Sequence, residues 1–181
     1  SVDIGYPDDC ASLLMAPFNT KYSGAAIGKV VAGKLNPSGK LSSSVYHYTE
    51  DQYISYKTRR VRDKVKSGPF IGYRYYDTSA EAPGFPFGHG LSFTRFDYLG
   101  MTVSSDKVNV TVKNGSKLAG EEIIQIYAAN PDSNVIRPQK ELCGFAKVAL
   151  KGGEKKTVSI DITLPKVYDE EKNNRRQTSR Q

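Results

Sequence analysis

Val108, Val110 and Val112 alternate with Asn109, Thr111 and Lys113, and a period of two places the valines on one face of an extended strand and the polar residues on the other. Residues 96–104, 123–129, 142–150 and 157–164 read as four more strands, the last with Val158, Ile160, Ile162 and Leu164 on one face. Asn114-Gly115 marks a turn, and Lys151-Gly152-Gly153 supplies a tight connection. Each such strand has one apolar face to bury, so the chain from residue 91 to residue 168 is expected to pack sheet on sheet as an antiparallel β-sandwich.

The preceding residues follow other rules. Residues 11–16 form a short apolar run stopped by Pro17, which suits a strand buried on both faces. Ser23 can then cap a helix in which Ile27, Val30 and Val31 share a face, Gly33 offers a left-handed stop, and Pro37 forbids resumption. A strand followed by a helix at this spacing is one βα unit, so residues 1–45 are expected to be the end of a larger α/β domain. Over residues 46–90 the periodicity fades while Tyr46, Tyr48, Tyr53, Tyr56, Tyr73, Tyr75 and Tyr76 accumulate among Pro69, Pro83 and Pro86. This composition predicts an extended arm packed across a domain surface, with buried rings and hydrogen-bonded hydroxyls. A carbohydrate-stacking platform would draw on the same rings. Arg74, flanked by tyrosines and followed by Asp77, is expected to hold the arm through a carboxylate or stacking contact.

The chain has 181 residues, 38% hydrophobic and 25% charged, enough for one or two compact domains. Its net charge of +7 is concentrated in two places: residues 57–66 carry six bases against Asp63, and residues 172–181 carry Lys172, Arg175, Arg176 and Arg180 with no acid. Both read as solvated, the second as a basic disordered tail over 169–181. No nucleic-acid motif with interleaved aromatics accompanies either run, so no nucleic-acid partner is expected. No window is long and apolar enough for a membrane span, and Ser1-Val2-Asp3 lacks a secretory start, so the first residue is expected to be an internal cut. Cys10 and Cys143 allow at most one disulfide, and Cys143 is expected to pack as a small apolar group. Asn109-Val110-Thr111 and Asn114-Gly115-Ser116 are acceptor sequons that would matter only in a secretory pathway.

Several short motifs occur in a fixed order: Asn36-Pro37-Ser38-Gly39-Lys40-Leu41, Tyr73-Arg74-Tyr75-Tyr76-Asp77, and the run from Pro86 through Gly88-His89-Gly90-Leu91-Ser92-Phe93 to Thr94. Gln125-Ile126-Tyr127, Lys140-Glu141-Leu142-Cys143-Gly144-Phe145 and Gly152-Gly153-Glu154 follow. This ordered set resembles the C-terminal part of a family 3 glycoside hydrolase, the β-glucosidase and β-xylosidase group. The strand spacing suits an immunoglobulin or fibronectin III type of sandwich, and the resemblance implies a fibronectin-III-like domain. In the family two further strands normally follow Tyr168-Asp169-Glu170. Here the segment is too polar for a core strand, so the sandwich is expected to be incomplete and to need strands from the parent enzyme or another chain. Ser42-Ser43 stand where the family usually has proline, and Asn19-Thr20-Lys21-Tyr22 replaces a more glycine-rich approach to the helix; both favour packing over sugar contact. Secretion, a vacuole or a periplasm is what the resemblance implies for location.

The retaining hydrolysis implied by the resemblance needs two carboxylates about 5–5.5 Å apart. In the family both lie upstream of the matched stretch, the nucleophile in an N-terminal barrel and the acid/base in the α/β domain, so no catalytic residue is assigned and the chain is expected to be inactive alone. Asp8-Asp9, Glu50-Asp51 and Glu121-Glu122 are adjacent pairs that point apart in a strand and read as solvated. His47 and His89 lack a placed nucleophile or carboxylate and read as structural. No glycine-rich phosphate loop or metal-ligand spacing is present in the sequence, and no cofactor is expected. The chain is read as a non-catalytic portion that stabilises the parent's catalytic domains, with a linker subunit of a larger assembly as the alternative and a carbohydrate-binding module as the third reading.

Overall fold

The structure, a computed structural model, describes residues 10–16, 21–45, 60–61, 64–65, 68–79, 82–133, 135–169 and 174–177. Tyr46, His47, Tyr48, Tyr53, Tyr56, the pairs Asp8-Asp9 and Glu50-Asp51, and most of the basic run 57–66 lie outside the described residues. The described chain is mostly antiparallel strand with two helices, α1 (Ser23–Val31) and α2 (Tyr73–Tyr76).

The strands are β1 (Arg60–Val61) and β2 (Lys64–Val65), β3 (Phe96–Val103), β4 (Lys107–Asn114), β5 (Gly120–Ala128), β6 (Glu141–Leu150), β7 (Lys155–Asp161), β8 (Lys166–Asp169) and β9 (Asn174–Gln177). One sheet has the order β3-β4-β7 and another is the pair β5-β6, while β1-β2 and β8-β9 form separate antiparallel hairpins. The two larger sheets enclose the core. Val108, Val110 and Val112 of β4 and Ile160 of β7 meet Ile124 of β5 and Val148 and Leu150 of β6, with Phe96, Ile126, Ala146, Val158 and Ile162 packed around them. Full burial of a valine, leucine or isoleucine side chain contributes about 1.5–3 kcal/mol, and three of the seven buried core residues come from β4, which makes its valine alternation the organising feature of the sandwich.

The valines are buried because the β5–β6 sheet packs on the inward face of β4, which lies between β3 on one side and β7 on the other. Strand β7 ends at Asp161, earlier than the apolar alternation alone predicts, because its partner β4 begins at Lys107 opposite Asp161: Ile162 N–H still donates to Asp106 O, and Thr163 N–H then turns to Cys143 O of β6, each at 2.8 Å. Tyr98, Met101 and Val103 of β3 stand opposite Val112, Val110 and Val108 and therefore share the inward face, yet all three are more than half exposed. The two-stranded sheet covers β4 and β7 and meets β3 through Phe96 and the Tyr98 hydroxyl, leaving Met101 and Val103 uncovered.

Several expectations are corrected. Residues 11–16 form no strand and Leu13 and Leu14 are exposed, because no neighbouring strand pairs with them among the described residues. Helix α1 begins at Ser23 with Tyr22 in the capping position and no side-chain cap, so Ser23 is its first residue rather than its cap. Its end follows the sequence: Gly33 adopts φ +68° and Lys34 N–H donates to Lys29 O at 2.8 Å, closing the last turn. None of its residues is buried. Within 169–181, Asn174–Gln177 pairs with Lys166–Asp169 as a hairpin; polarity argues against a core strand, but backbone pairing needs no apolar side chain. The two cysteines are free, Cys10 exposed and Cys143 buried, with the Cys143 thiol raised in pKa by burial. Asn114 is completely buried, its amide donating to Leu118 O at 2.9 Å and Leu150 O at 3.3 Å, so the folded domain has no room for a glycan there. Asn109 is half-buried in the middle of β4 between Thr102 and Ser159.

Candidate functional site

Two sequence motifs that lie more than fifty residues apart meet at the end of the sandwich. The Asn36 amide joins them. Its Oδ1 accepts from Phe93 N–H at 2.9 Å and from the Ser92 hydroxyl at 2.8 Å, while its Nδ2 donates to Ala119 O at 3.1 Å and Thr94 Oγ1 at 3.2 Å. A backbone N–H can only donate and a backbone carbonyl can only accept, so these two partners fix the amide's orientation. Gly120 opens β5 beside this amide, and a Cβ there would collide with Thr94 Oγ1 and Asn36 Nδ2. Leu41 N–H donates to His89 O and Gly88 N–H to Leu41 O, both at 2.8 Å, and Val45 pairs with Phe85 as an isolated bridge. Residues 36–45 are thus zipped to residues 85–94 and, through Asn36, to the start of β5.

Lys40 adds charge to the same joint. Its ammonium donates to Gly90 O at 2.6 Å and pairs with Glu122 Oε1 at 3.2 Å, with only 18% and 10% of the two side chains exposed. The Tyr98 hydroxyl donates to Glu122 Oε1 at 3.1 Å. Burial first, and the Glu122 charge second, raise the Tyr98 phenol well above its ordinary value. Glu122 is therefore not a solvated residue as its pairing with Glu121 suggested: strand alternation turns it inward, where Lys40 and Tyr98 meet it. Glu121 faces out, held below the usual carboxylate range by the Lys147 ammonium at 2.6 Å and by the Ser38 hydroxyl.

A second cluster joins α2 to β5 and β6. Tyr73 stacks on Phe87 with centroids 4.8 Å apart and meets Tyr127 edge-on at 5.9 Å, and its hydroxyl oxygen accepts from Leu142 N–H at 2.9 Å. Arg74 lies over the Tyr73 ring at 5.7 Å and reaches Glu141 Oε1 at 3.5 Å, while Arg137 binds Glu141 Oε2 at 2.8 Å. Asp77 pairs with Lys140 at 3.2 Å rather than with Arg74. Tyr75 and Tyr76 stand edge to face at 5.4 Å. Burial, then the neighbouring Tyr73 and Asp77, push the Tyr127 phenol up to about 12. Between α2 and the strands lies an open cleft of about 520 Å³. His89 contributes backbone contacts and a ring 5.2 Å from Phe85. Asn36, Lys40, Glu122, Tyr98, Tyr127 and Glu141 were not singled out as site residues by the sequence; only the motifs containing some of them gave a signal. Among the described residues no group of three or more histidines, cysteines and carboxylates converges as a metal site.

The chain's relatives share this architecture. The model of the glycosyl hydrolase family 3 C-terminal domain matches residues 2–93, and that of the fibronectin type III-like domain matches residues 122–180. The chain belongs to glycoside hydrolase family 3. The thermostable β-glucosidase B of Acetivibrio thermocellus is 42% identical over 171 residues, covering 89% of this chain and 23% of that protein. A β-glucosidase of Kluyveromyces marxianus is 39% identical over 170 residues, covering 90% of this chain and 20% of that protein. The crystal structure of DesR, a β-glucosidase from Streptomyces venezuelae in complex with D-glucose, superposes with a TM-score of 0.74 at 34% identity, covering 84% of this chain and 21% of that one. The chain thus corresponds to the C-terminal portion of β-glucosidase-like members of the family and spans about a fifth to a quarter of the length of the relatives it matches. The fibronectin type III-like match runs to residue 180, so it takes in the polar segment after Asp169.

Two outcomes follow from the joint. Lys40→Met should lower the unfolding free energy by about 2–4 kcal/mol, because it strands a buried carboxylate, and adding Glu122→Gln should restore part of that loss in a double-mutant cycle followed by urea unfolding. The raised Tyr98 phenol gives stability that is present below the ordinary tyrosine value of 10.0 and is lost as pH rises above it, since only the unfolded chain then ionises. Tyr98→Phe should therefore flatten the decline of the urea midpoint above pH 10, at a cost near neutrality of about 1 kcal/mol for the lost hydrogen bond.

Proposed function

We propose that this chain braces the catalytic domains of a family 3 β-glycosidase and takes no part in bond cleavage itself. The supporting observation is the use to which its motifs are put: Asn36, Lys40, Ser92 and Thr94 bond to one another or to the sandwich. Glu122, the acidic side chain buried among the described residues, is neutralised by Lys40. A retaining site would instead require two carboxylates converging on a hollow.

On this reading residues 1–45 end an α/β domain, residues 46–90 form a tyrosine-bearing arm with Tyr73, Arg74, Tyr75, Tyr76 and Asp77 at its anchored end, and residues 91–168 form the fibronectin-III-like sandwich. The parent would release sugars from β-linked glycosides through a covalent glycosyl-enzyme intermediate, with its nucleophile and acid/base in domains outside this chain. Relatives of this region include an exo-α-(1→6)-L-arabinopyranosidase of Bifidobacterium breve, 40% identical over 146 residues. The released sugar is therefore set elsewhere in the parent. The exposed Met101 and Val103 on the inward face of β3 and the exposed Val31 of α1 are surfaces on which the parent's remaining domains would pack.

Incubation of the folded chain with a chromogenic β-glucoside should give no release above a protein-free blank. Saturable turnover that survives repurification would contradict the bracing role.

A further inference from the structure

Two connections at one end of the sandwich, residues 115–119 between β4 and β5 and residues 151–154 between β6 and β7, are tied into one tip. Gly153 N–H donates to Ser116 O at 3.0 Å, and a Cβ on Gly152 would collide with Lys117 O. The buried Asn114 holds the first connection from within: its amide donates to Leu118 O at 2.9 Å and its Oδ1 accepts from Ser116 N–H at 2.9 Å. The Leu118 backbone is thereby fixed while the residue is left 54% exposed. Five exposed lysines share this end. Lys113 and Lys155 stand directly opposite each other in the β4–β7 ladder, Lys156 follows, and Lys117 and Lys151 lie on the two connections. None of the five forms an ion pair among the described residues. The carboxylates nearby are already engaged: Glu154 accepts from Lys151 N–H at 2.7 Å, and Asp97 pairs with Arg95 at 3.0 Å. Like charges directly opposite weaken a strand pair, so the tip carries a repulsion that an anionic surface would relieve.

Charge alone would also draw a nucleic acid or an acidic protein. Neither accounts for an exposed leucine held on a pinned backbone beside the lysines, and the connections supply no aromatic ring on which a base could stack. An anionic bilayer offers both kinds of contact at once. Its headgroup layer attracts ammonium groups, and the acyl boundary just beneath accepts a small apolar side chain while lysine stems lie along the interface. We infer that this tip docks on an anionic lipid surface, with the five lysines in the headgroup layer and Leu118 dipping toward the acyl chains. The contact is peripheral: it needs no membrane-spanning segment, and it leaves the Asn36 joint and the core untouched. It goes beyond the bracing role and does not depend on it.

The chain contains no tryptophan, so Leu118→Trp in the full 181-residue chain places a single indole at the tip. On vesicles of equimolar phosphatidylcholine and phosphatidylserine its emission should move to shorter wavelength and saturate. Vesicles of phosphatidylcholine alone should leave it unchanged, and added salt should reverse the shift. In co-sedimentation with the anionic vesicles, Lys113→Gln combined with Lys155→Gln should weaken binding about thirtyfold, or about fivefold for each lysine. Leu118→Ser should weaken it about fivefold. Both variants should unfold at thermal midpoints no lower than that of the unaltered chain, because these side chains are exposed. An indole emission that stays at its aqueous value on anionic vesicles would overturn the inference even if the chain sediments, since binding would then run through the basic residues of 57–66 or 172–181. Sedimentation that the double lysine variant leaves intact would overturn it as well. Full binding by Leu118→Ser would contradict a bilayer contact and reassign the tip to a soluble polyanion.

Discussion

The Asn36 amide is the contact on which the architecture turns. Four hydrogen bonds converge on one half-buried side chain, and two of them go to backbone groups whose polarity cannot be exchanged. The loop that follows α1 is thereby held against the lead-in to β3 and the start of β5 at the same time. An apolar residue of similar size would leave Phe93 N–H and Ala119 O without these partners, so the joint depends on an amide in a way that hydrophobic packing alone would not require. Gly120 belongs to the same arrangement, because its missing side chain is what allows the amide to approach the strand.

Around that contact the remaining interactions sort by type. Lys40 and Glu122 form a partly buried ion pair, which contributes orientation more than net stability, since desolvation offsets most of the attraction. Tyr73 and Phe87 add apolar area between α2 and the sandwich, and Glu141 draws two arginines to one edge of β6. The chain is cross-tied in this way at both ends of β5.

The sandwich is legible because Val108, Val110 and Val112 have to face one way, and all five expected strands lie within three residues of their expected ends at both termini. Strand β7 ends early for a tertiary reason, the turn of Thr163 toward Cys143 of β6 just past the end of its partner β4, which no local pattern carries. Residues 11–16 form no strand because an apolar stretch states only that burial is wanted, and pairing needs neighbours. Residue type alone makes Ser23 a cap candidate, but backbone geometry defines a cap and places Tyr22 there. Glu122 illustrates the limit for sites: beside Glu121 it reads as surface charge, and its partners Lys40 and Tyr98 lie 82 and 24 residues upstream, in other segments. The ordered motifs announced the family without revealing that Asn36 and Lys40 are contacts between distant segments.

Native-state hydrogen exchange of the Leu41, Gly88 and Phe93 amides, compared with those of β4, tests the joint most directly. If the loop and the sandwich form one cooperative unit, these three amides should open with nearly the same free energy as Val110 and Val112. Exchange of the three at close to unprotected rates, while β4 remains protected, would contradict the account, because the motif loop would then be a detachable flap instead of part of the fold.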